Sequence, residues 1–262
     1  MTQFLNEALN QILEYRAIKV FYNLNDGAHA EEILNALDKS VTPTLKLYGI
    51  EQPEYPMSIY LYPTQSDWDK TGERPLSGPE TIRIIQEQKI MMVCRERLPE
   101  NLGFEIAYSF NLLLFHEQTK ERNTGPFQWR TPSWLMEGIC RMVPMSIRND
   151  KMELLRKAWM NVQTNEKSNQ LIPSTLMVKM IAMIPDKARK QLAFDQAYFM
   201  VKYLTILYPD GFVRKYATLM GALEDMEGEA VFKQITTNTF DKFFTLFREW
   251  VRTTNPWAAI AD

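Results

Sequence analysis

Apolar and polar residues alternate along this chain with two different periods, and the period changes near residue 98. Phe4, Leu5, Ala8, Leu9, Ile12 and Leu13 share one helical face, which predicts an amphipathic helix over residues 2–15. Ala17–Tyr22 alternates and is rich in β-formers, so it predicts a strand. Asp26-Gly27 has turn chemistry. Ala30, Ile33, Leu34, Leu37, Val41, Leu45 and Tyr48 mark a long helix, bent at Pro43 and closed by Gly49 as C-cap. Met57–Tyr62 (MSIYLY) predicts a second strand ended by Pro63. Thr64–Lys70 predicts a short helix capped by Thr64 or Ser66. Residues 71–81 carry Gly72, Pro75, Gly78 and Pro79 and read as a loop. Ile82–Ile85 and Lys89–Cys94 predict a β-hairpin or one bulged strand.

From Pro99 onward the pattern is helical. Predicted helices cover Leu102–Glu117, Pro132–Val143, Met152–Val162, Ser174–Ile184, Ala193–Tyr208, Phe212–Leu223, Glu229–Ile235 and Phe240–Val251. Strands first and helices afterwards predict an α+β chain: an N-terminal α/β part over 1–98 and a helical part over 99–262. Within the helical part, Met177, Met180 and Met183 read as core filling. Trp257, in the tail NPWAAIAD, reads either as folded back or as a partner anchor.

Composition narrows the class. Of the 262 residues, 45% are apolar and 24% charged, which supports a sizeable core rather than disorder. A net charge of −2 argues against a nucleic-acid or membrane-surface binder. Cys94 and Cys140 are the only cysteines, too few for a disulfide framework. The N-terminus lacks the basic and continuously apolar regions of a signal peptide, and no stretch approaches the roughly 18 apolar residues of a spanning helix. The expectation is a cytoplasmic setting.

Two carboxylates stand out because they interrupt apolar helices, where an ion is costly unless paired, protonated or metal-bound. Glu105 lies in LGFEIAYSFNLLLFHE and Glu137 in PSWLMEGICRMV. Glu105 reads as one member of a site floor, or as a helix-edge residue bonded to Tyr108 or Ser109. Glu137 reads as a site residue, or as the i,i+4 partner of Arg141. Arg141 could also supply a positive charge to both glutamates. Cys140, one helical step away, reads as a small core residue more readily than as a nucleophile. His116-Glu117-Gln118-Thr119-Lys120 begins like a metal motif, but Lys120 takes the second histidine position. His116 therefore reads as a surface or capping residue.

A zinc peptidase of the HExxH type needs histidines at i and i+4, a glutamate beside the first as general base, and a third ligand from a later helix. Phe104-Glu105-Ile106-Ala107-Tyr108 keeps the glutamate and has aromatics at both histidine positions. Trp134-Leu135-Met136-Glu137-Gly138 is similar to the W-L-x-E-G helix that gives the third ligand in gluzincins, the thermolysin-like and aminopeptidase-like metallopeptidases. The resemblance extends over roughly residues 16–252, through the long helix ending in Tyr48-Gly49, the IYLYPT strand, AYFMVKYL (Ala197–Leu204) and the closing FDKFFTLFREWV helix. It implies a zincin-like fold with a small mixed sheet and a helical C-terminal half.

The same resemblance puts the former ligand positions at Phe104, Tyr108 and Glu137. Structural zinc binding reaches about 10–16 kcal/mol with a full set of N and S ligands. Phe supplies no ligand, and neutral Tyr, with a pKa of about 10, is a poor one. Glu105 and Glu137 alone suit Mg or Ca weakly. The expectation is therefore no metal, no cofactor, and no peptidase chemistry by water activation.

The leading functional reading is a pseudopeptidase that binds peptide or protein partners in the former cleft. In the resembling peptidases, substrate adds beside an edge strand. Its equivalent is taken here as Lys89–Cys94, with Met91, Met92 and Val93 lining it. Phe127, Trp129, Trp134 and Tyr198 would flank the cleft. The alternatives are a hydrolase using Glu105 with a non-standard metal site, and a structural oligomerisation module.

Overall fold

The structure, a computed structural model, describes residues 7–72, 82–85, 89–121, 130–179, 181–223 and 225–260. The chain divides into two compact units, residues 1–114 and 115–262.

The first unit holds β1 (Gln11–Tyr15), β2 (Ile18–Tyr22), α1 (Gly27–Tyr48), β3 (Met57–Tyr62), α2 (Gln65–Asp69), β4 (Ile82–Ile85), β5 (Ile90–Cys94) and most of α3 (Leu102–Thr119). The helix expected over 2–15 is corrected: residues 11–15 are a strand. Exposure there alternates with period two, Ile12 and Glu14 outward, and pairing with β2 decides the conformation. Phe4 and Leu5 lie outside the described residues. Asp26 ends a 3₁₀ turn over Leu24–Asp26, in which the Asn23 side chain accepts from the Asn25 N–H, and Gly27 opens α1.

Other signals match the sequence reading. Pro43 sits within α1, and Gly49 closes it at φ 70°, where a left-handed residue lets its N–H reach the Leu45 and Lys46 carbonyls. Thr64 caps α2, accepting from the Asp67 N–H. Of the loop expected over 71–81, residues 73–81 lie outside the described residues.

Among the described residues the sheet has five strands in the order β1-β2-β3-β5-β4. β2, β3 and β5 are mutually parallel, while β1 and β4 run antiparallel at the two edges. β3 and β5 are apolar on both faces apart from Ser58, as a doubly covered sheet requires, while β2 exposes Lys19. One face carries Phe21, Tyr60 and Tyr62. Phe21 stacks on Tyr60 at 4.8 Å between centroids, and Tyr62 leans on Trp68 of α2. Ile90, Met92 and Cys94 complete this cluster. Residues of the opposite parity, Val20, Ile59, Leu61, Met91 and Val93, are equally buried. Burying each such side chain is worth about 1.5–3 kcal/mol. Gly103 brings α3 close to Ala36 of α1, and the Tyr48 hydroxyl donates to Asn111 Oδ1 at 2.7 Å in the same interior.

The second unit is helical: α4 (Ser133–Ser146), α5 (Lys151–Lys167), α6 (Ser174–Met177), a 3₁₀ turn at Ile181–Met183, α7 (Lys187–Leu207), α8 (Phe212–Ala222), α9 (Gly228–Thr236), α10 (Phe240–Thr253) and α11 (Pro256–Ile260). Aromatics fill its core. Trp134 packs among Phe232, Phe240 and Phe243, and Trp159 sits edge-on to Phe199 and Trp250. The helix expected over Ser174–Ile184 is broken, which separates two methionines that periodicity had put on one face. Met177 is buried, Met183 is 60% exposed, and Met180 lies outside the described residues. The tail forms α11, which buries Ala259 and Ile260 and leaves Trp257 65% exposed. Among the described residues, no helix is long and apolar enough to cross a membrane.

Candidate functional site

The two carboxylates that interrupt apolar helices have different surroundings. Glu105 lies in the first turn of α3, in the first unit, and is half-buried. A carboxylate in that turn is favoured by the positive end of the helix dipole. Phe104 and Tyr108, at i and i+4, stack on each other with centroids 6.4 Å apart and planes 11° from parallel. Where two imidazoles would be needed, α3 therefore presents a pair of hydrocarbon faces. Among the described residues, no three His, Cys, Asp or Glu side chains group closely enough to hold a metal ion. The donor set does not fit the zinc that the resemblance implies.

Glu137 lies in α4, in the second unit, and is buried. The Arg141 Nε donates to its Oε2 at 3.4 Å, a long contact, one helical turn away. The Arg141 guanidinium carbon lies 3.8 Å from the centre of the Phe194 ring, so its face is covered by an aromatic on α7. Beside Phe194, Asp195 is buried and doubly bonded. Asn161 Nδ2 donates to Oδ2 and Gln191 Nε2 donates to Oδ1, each at 2.7 Å. Burial pushes the Asp195 carboxyl above its usual range, opposed by these two amides and by the Arg141 charge. Burial also pushes the Cys140 thiol well up, with Glu137 adding to the effect. A thiol held protonated in this way is a core residue rather than a nucleophile.

Gly138 explains how this cluster is assembled. A Cβ there would lie 2.4 Å from the Ala197 carbonyl oxygen and 2.5 Å from Val201 Cγ2. The glycine of the E-G pair lets α4 and α7 approach backbone to side chain, which sets Glu137 and Arg141 beside Phe194 and Asp195. Tyr198, on the same stretch of α7, is buried and edge-on to Phe199.

Three expectations about site residues need correction. Met91, Met92 and Val93 do not line a sheet edge: β5 is paired with β3 on one side and β4 on the other, and all three side chains are buried. Trp134 is not at a cleft mouth but in the aromatic core, because its partners Phe232, Phe240 and Phe243 come from helices distant in sequence. His116 is not a surface residue. It is buried in the last turn of α3, edge-on to Phe115. Phe127 and Trp129 lie outside the described residues.

The sequence reading also missed the polar residues that tie the helical unit together. Arg130 is buried, and its Nη2 donates to the Met220 and Leu223 carbonyls at 2.9 Å, closing the C-terminus of α8. Next to it, the Tyr216 hydroxyl donates to Thr131 Oγ1, and Thr131 in turn donates to Glu121 through both its N–H and its hydroxyl. Burial raises the Glu121 carboxyl above its ordinary range. Glu166, on α5, is fully buried and pairs with Arg248 at 2.8 Å and Arg252 at 2.5 Å, both on α10. Asp195 had one local signal, Gln191 at i−4. The others join residues ten or more positions apart and leave no periodic trace.

No protein-family model matches the chain, and no curated protein matches it either.

Proposed function

We propose that the chain is a non-catalytic, metallopeptidase-like binding module that takes an extended segment of a partner protein along the outer edge of β4. The observation that carries this reading is that, among the described residues, the sheet ends on the side next to β5 in a short antiparallel strand. Such an edge carries a row of backbone donors and acceptors that a peptide can pair with, and this pairing needs no metal. The four residues of β4 are half-buried, which leaves Ile82–Ile85 within reach of an added strand. The resemblance to gluzincins, whose substrates add beside an edge strand of the sheet, supports a sheet edge as the binding place, although the strand first taken as its equivalent, β5, lies inside the sheet. The paired state of Glu137 and the stacked Phe104 and Tyr108 support a module without a hydrolytic centre.

The test uses the full chain. Peptides selected from a displayed library are titrated against the protein and against Arg83→Pro and Ile84→Pro. In an antiparallel pair, hydrogen-bonded and non-bonded positions alternate, so one of these two N–H groups faces away from β5. Proline at the outward position leaves the ladder intact and should weaken binding at least about tenfold. Unchanged binding in both variants, or cleavage of the selected peptide during incubation, overturns the reading.

A further inference from the structure

The stretch from Ser174 to Lys190 departs from the rest of the chain in charge. It holds Lys179, Lys187, Arg189 and Lys190 against the single carboxylate Asp186, a net charge of +3 in a chain of net −2. Asp186 is already in use, its side chain accepting from the Arg189 N–H to cap α7. Among the described residues, none of the four cations is in an ion pair. Three of them stand at the first turn of α7, where the helix dipole disfavours positive charge, so they do not serve the helix itself.

The same stretch displays apolar side chains. Leu176, Val178 and Met183 are 45%, 43% and 60% exposed. Their backbone is nevertheless anchored. Met177 and Ile181, between them in sequence, are fully buried. The Val178 carbonyl accepts from the Ser133 N–H at 3.1 Å, and the Ile181 N–H donates to Ser133 Oγ at 3.0 Å. The Ile184 N–H donates to the Ile181 carbonyl at 3.0 Å, and the Ser174 hydroxyl donates to Asp241 Oδ1 at 2.7 Å. One serine at the start of α4 thus holds the turn at two points and keeps Leu176, Val178 and Met183 close to Lys179.

Exposed apolar groups on an anchored backbone, with cations a few residues away, mark an interaction surface. Its composition decides between partners. Protein interfaces are enriched in aromatic residues and depleted in lysine, whereas this stretch has no aromatic residue and three lysines among its four cations. Aliphatic side chains flanked by lysine suit an anionic bilayer, where the apolar groups enter the headgroup boundary and the cations meet the lipid charges. We propose that Leu176–Lys190 docks on an anionic membrane surface, independently of the β4 edge. The chain-wide charge of −2 argued against such binding because it averages this stretch with an acidic remainder, while the attraction to lipid acts only over about a Debye length.

Co-sedimentation of the full chain with vesicles tests this. Vesicles of equal parts phosphatidylserine and phosphatidylcholine should carry the protein down, vesicles of phosphatidylcholine alone should not, and added salt should release it. Each cation near the surface is worth about fivefold in partitioning, so Lys179→Glu with Lys187→Glu should weaken binding at least about tenfold. Arg214→Glu with Lys215→Glu, the same charge change on exposed residues of α8, should weaken it far less. Leu176→Ser with Met183→Ser alters exposed positions, so the fold is kept while partitioning falls. The proposal is overturned if anionic vesicles leave the protein in solution, if the α8 pair costs as much as the Lys179 and Lys187 pair, or if the Leu176 and Met183 pair changes nothing. It is equally overturned if the unaltered chain is a dimer by solution mass and the Leu176 and Met183 pair makes it a monomer, since the face then belongs to a second copy.

Discussion

The β3–β5 pair and the α4–α7 pair are both buried, and they are built by opposite means. In β3 and β5 nearly every side chain is apolar, and the backbone polar groups are satisfied by the ladder itself. In α4 and α7 the interior holds Glu137, Asp195 and Gln196, and their polar groups need named partners. The strand pair is tolerant, because any apolar residue of the right size maintains it. The helix pair is exacting, because its carboxylates depend on a close approach that a single methyl group would block.

The sharpest way to break this contrast is Gly138→Ala. The added Cβ meets backbone oxygen rather than a flexible side chain, so α4 must move away from α7. The expected loss is about 3 kcal/mol, read from the shift in a urea unfolding midpoint. Val93→Ala in β5 leaves a small void and should cost less, about 1–2 kcal/mol. Equal costs would remove the distinction.

Glu166→Ala comes next. Removing a fully buried partner commonly costs about 3–5 kcal/mol, but Arg248 and Arg252 are 27% and 58% exposed and can turn to water, so about 2 kcal/mol is expected. Glu137→Gln keeps the shape and weakens the long charged contact to Arg141, itself 20% exposed, for about 1 kcal/mol.

The smallest effect is a pH dependence with opposite signs in the two units. Burial raises the Asp195 and Glu121 carboxyls above their ordinary values of 3.8 and 4.5. Their contribution to stability is therefore complete below those values and is lost as pH rises through the raised ones. In the first unit, the Lys70 and Thr64 bonds hold Asp67 below 3.8, so its contribution is present above that value and is lost as pH falls through the lowered one. Melting temperature should rise as pH falls through the raised values toward the ordinary ones, and fall again as pH drops below 3.8 through the lowered one. Asp195→Asn should flatten the rise and leave the acid-side fall in place.

What the sequence made legible follows the same division. The α+β arrangement and the β2, β3 and β5 strands could be read because short runs rich in β-formers, with Pro56 and Pro63 bounding β3, specify local structure directly. Glu105 and Glu137 could be read as anomalies because an ion in an apolar helix is costly wherever it lies. Their surroundings were less legible. Glu137 had its Arg141 partner one turn away, but the cover supplied by Phe194 and the neighbouring Asp195–Asn161 bond depend on how α4, α5 and α7 meet. The role assigned to β5 failed for a related reason. Strand order is a property of pairing, and nothing local in IMMVC says that β4 lies outside it. β1 was misread because its apolar spacing fits a helix as well as a strand.

The most direct measurement is backbone amide hydrogen exchange of the full chain, with and without a library-selected peptide, followed by mass analysis of the peptide. The account predicts increased protection at Ile82–Ile85 and a peptide recovered intact. Protection that leaves β4 unchanged, or a peptide returned in two pieces, would contradict it.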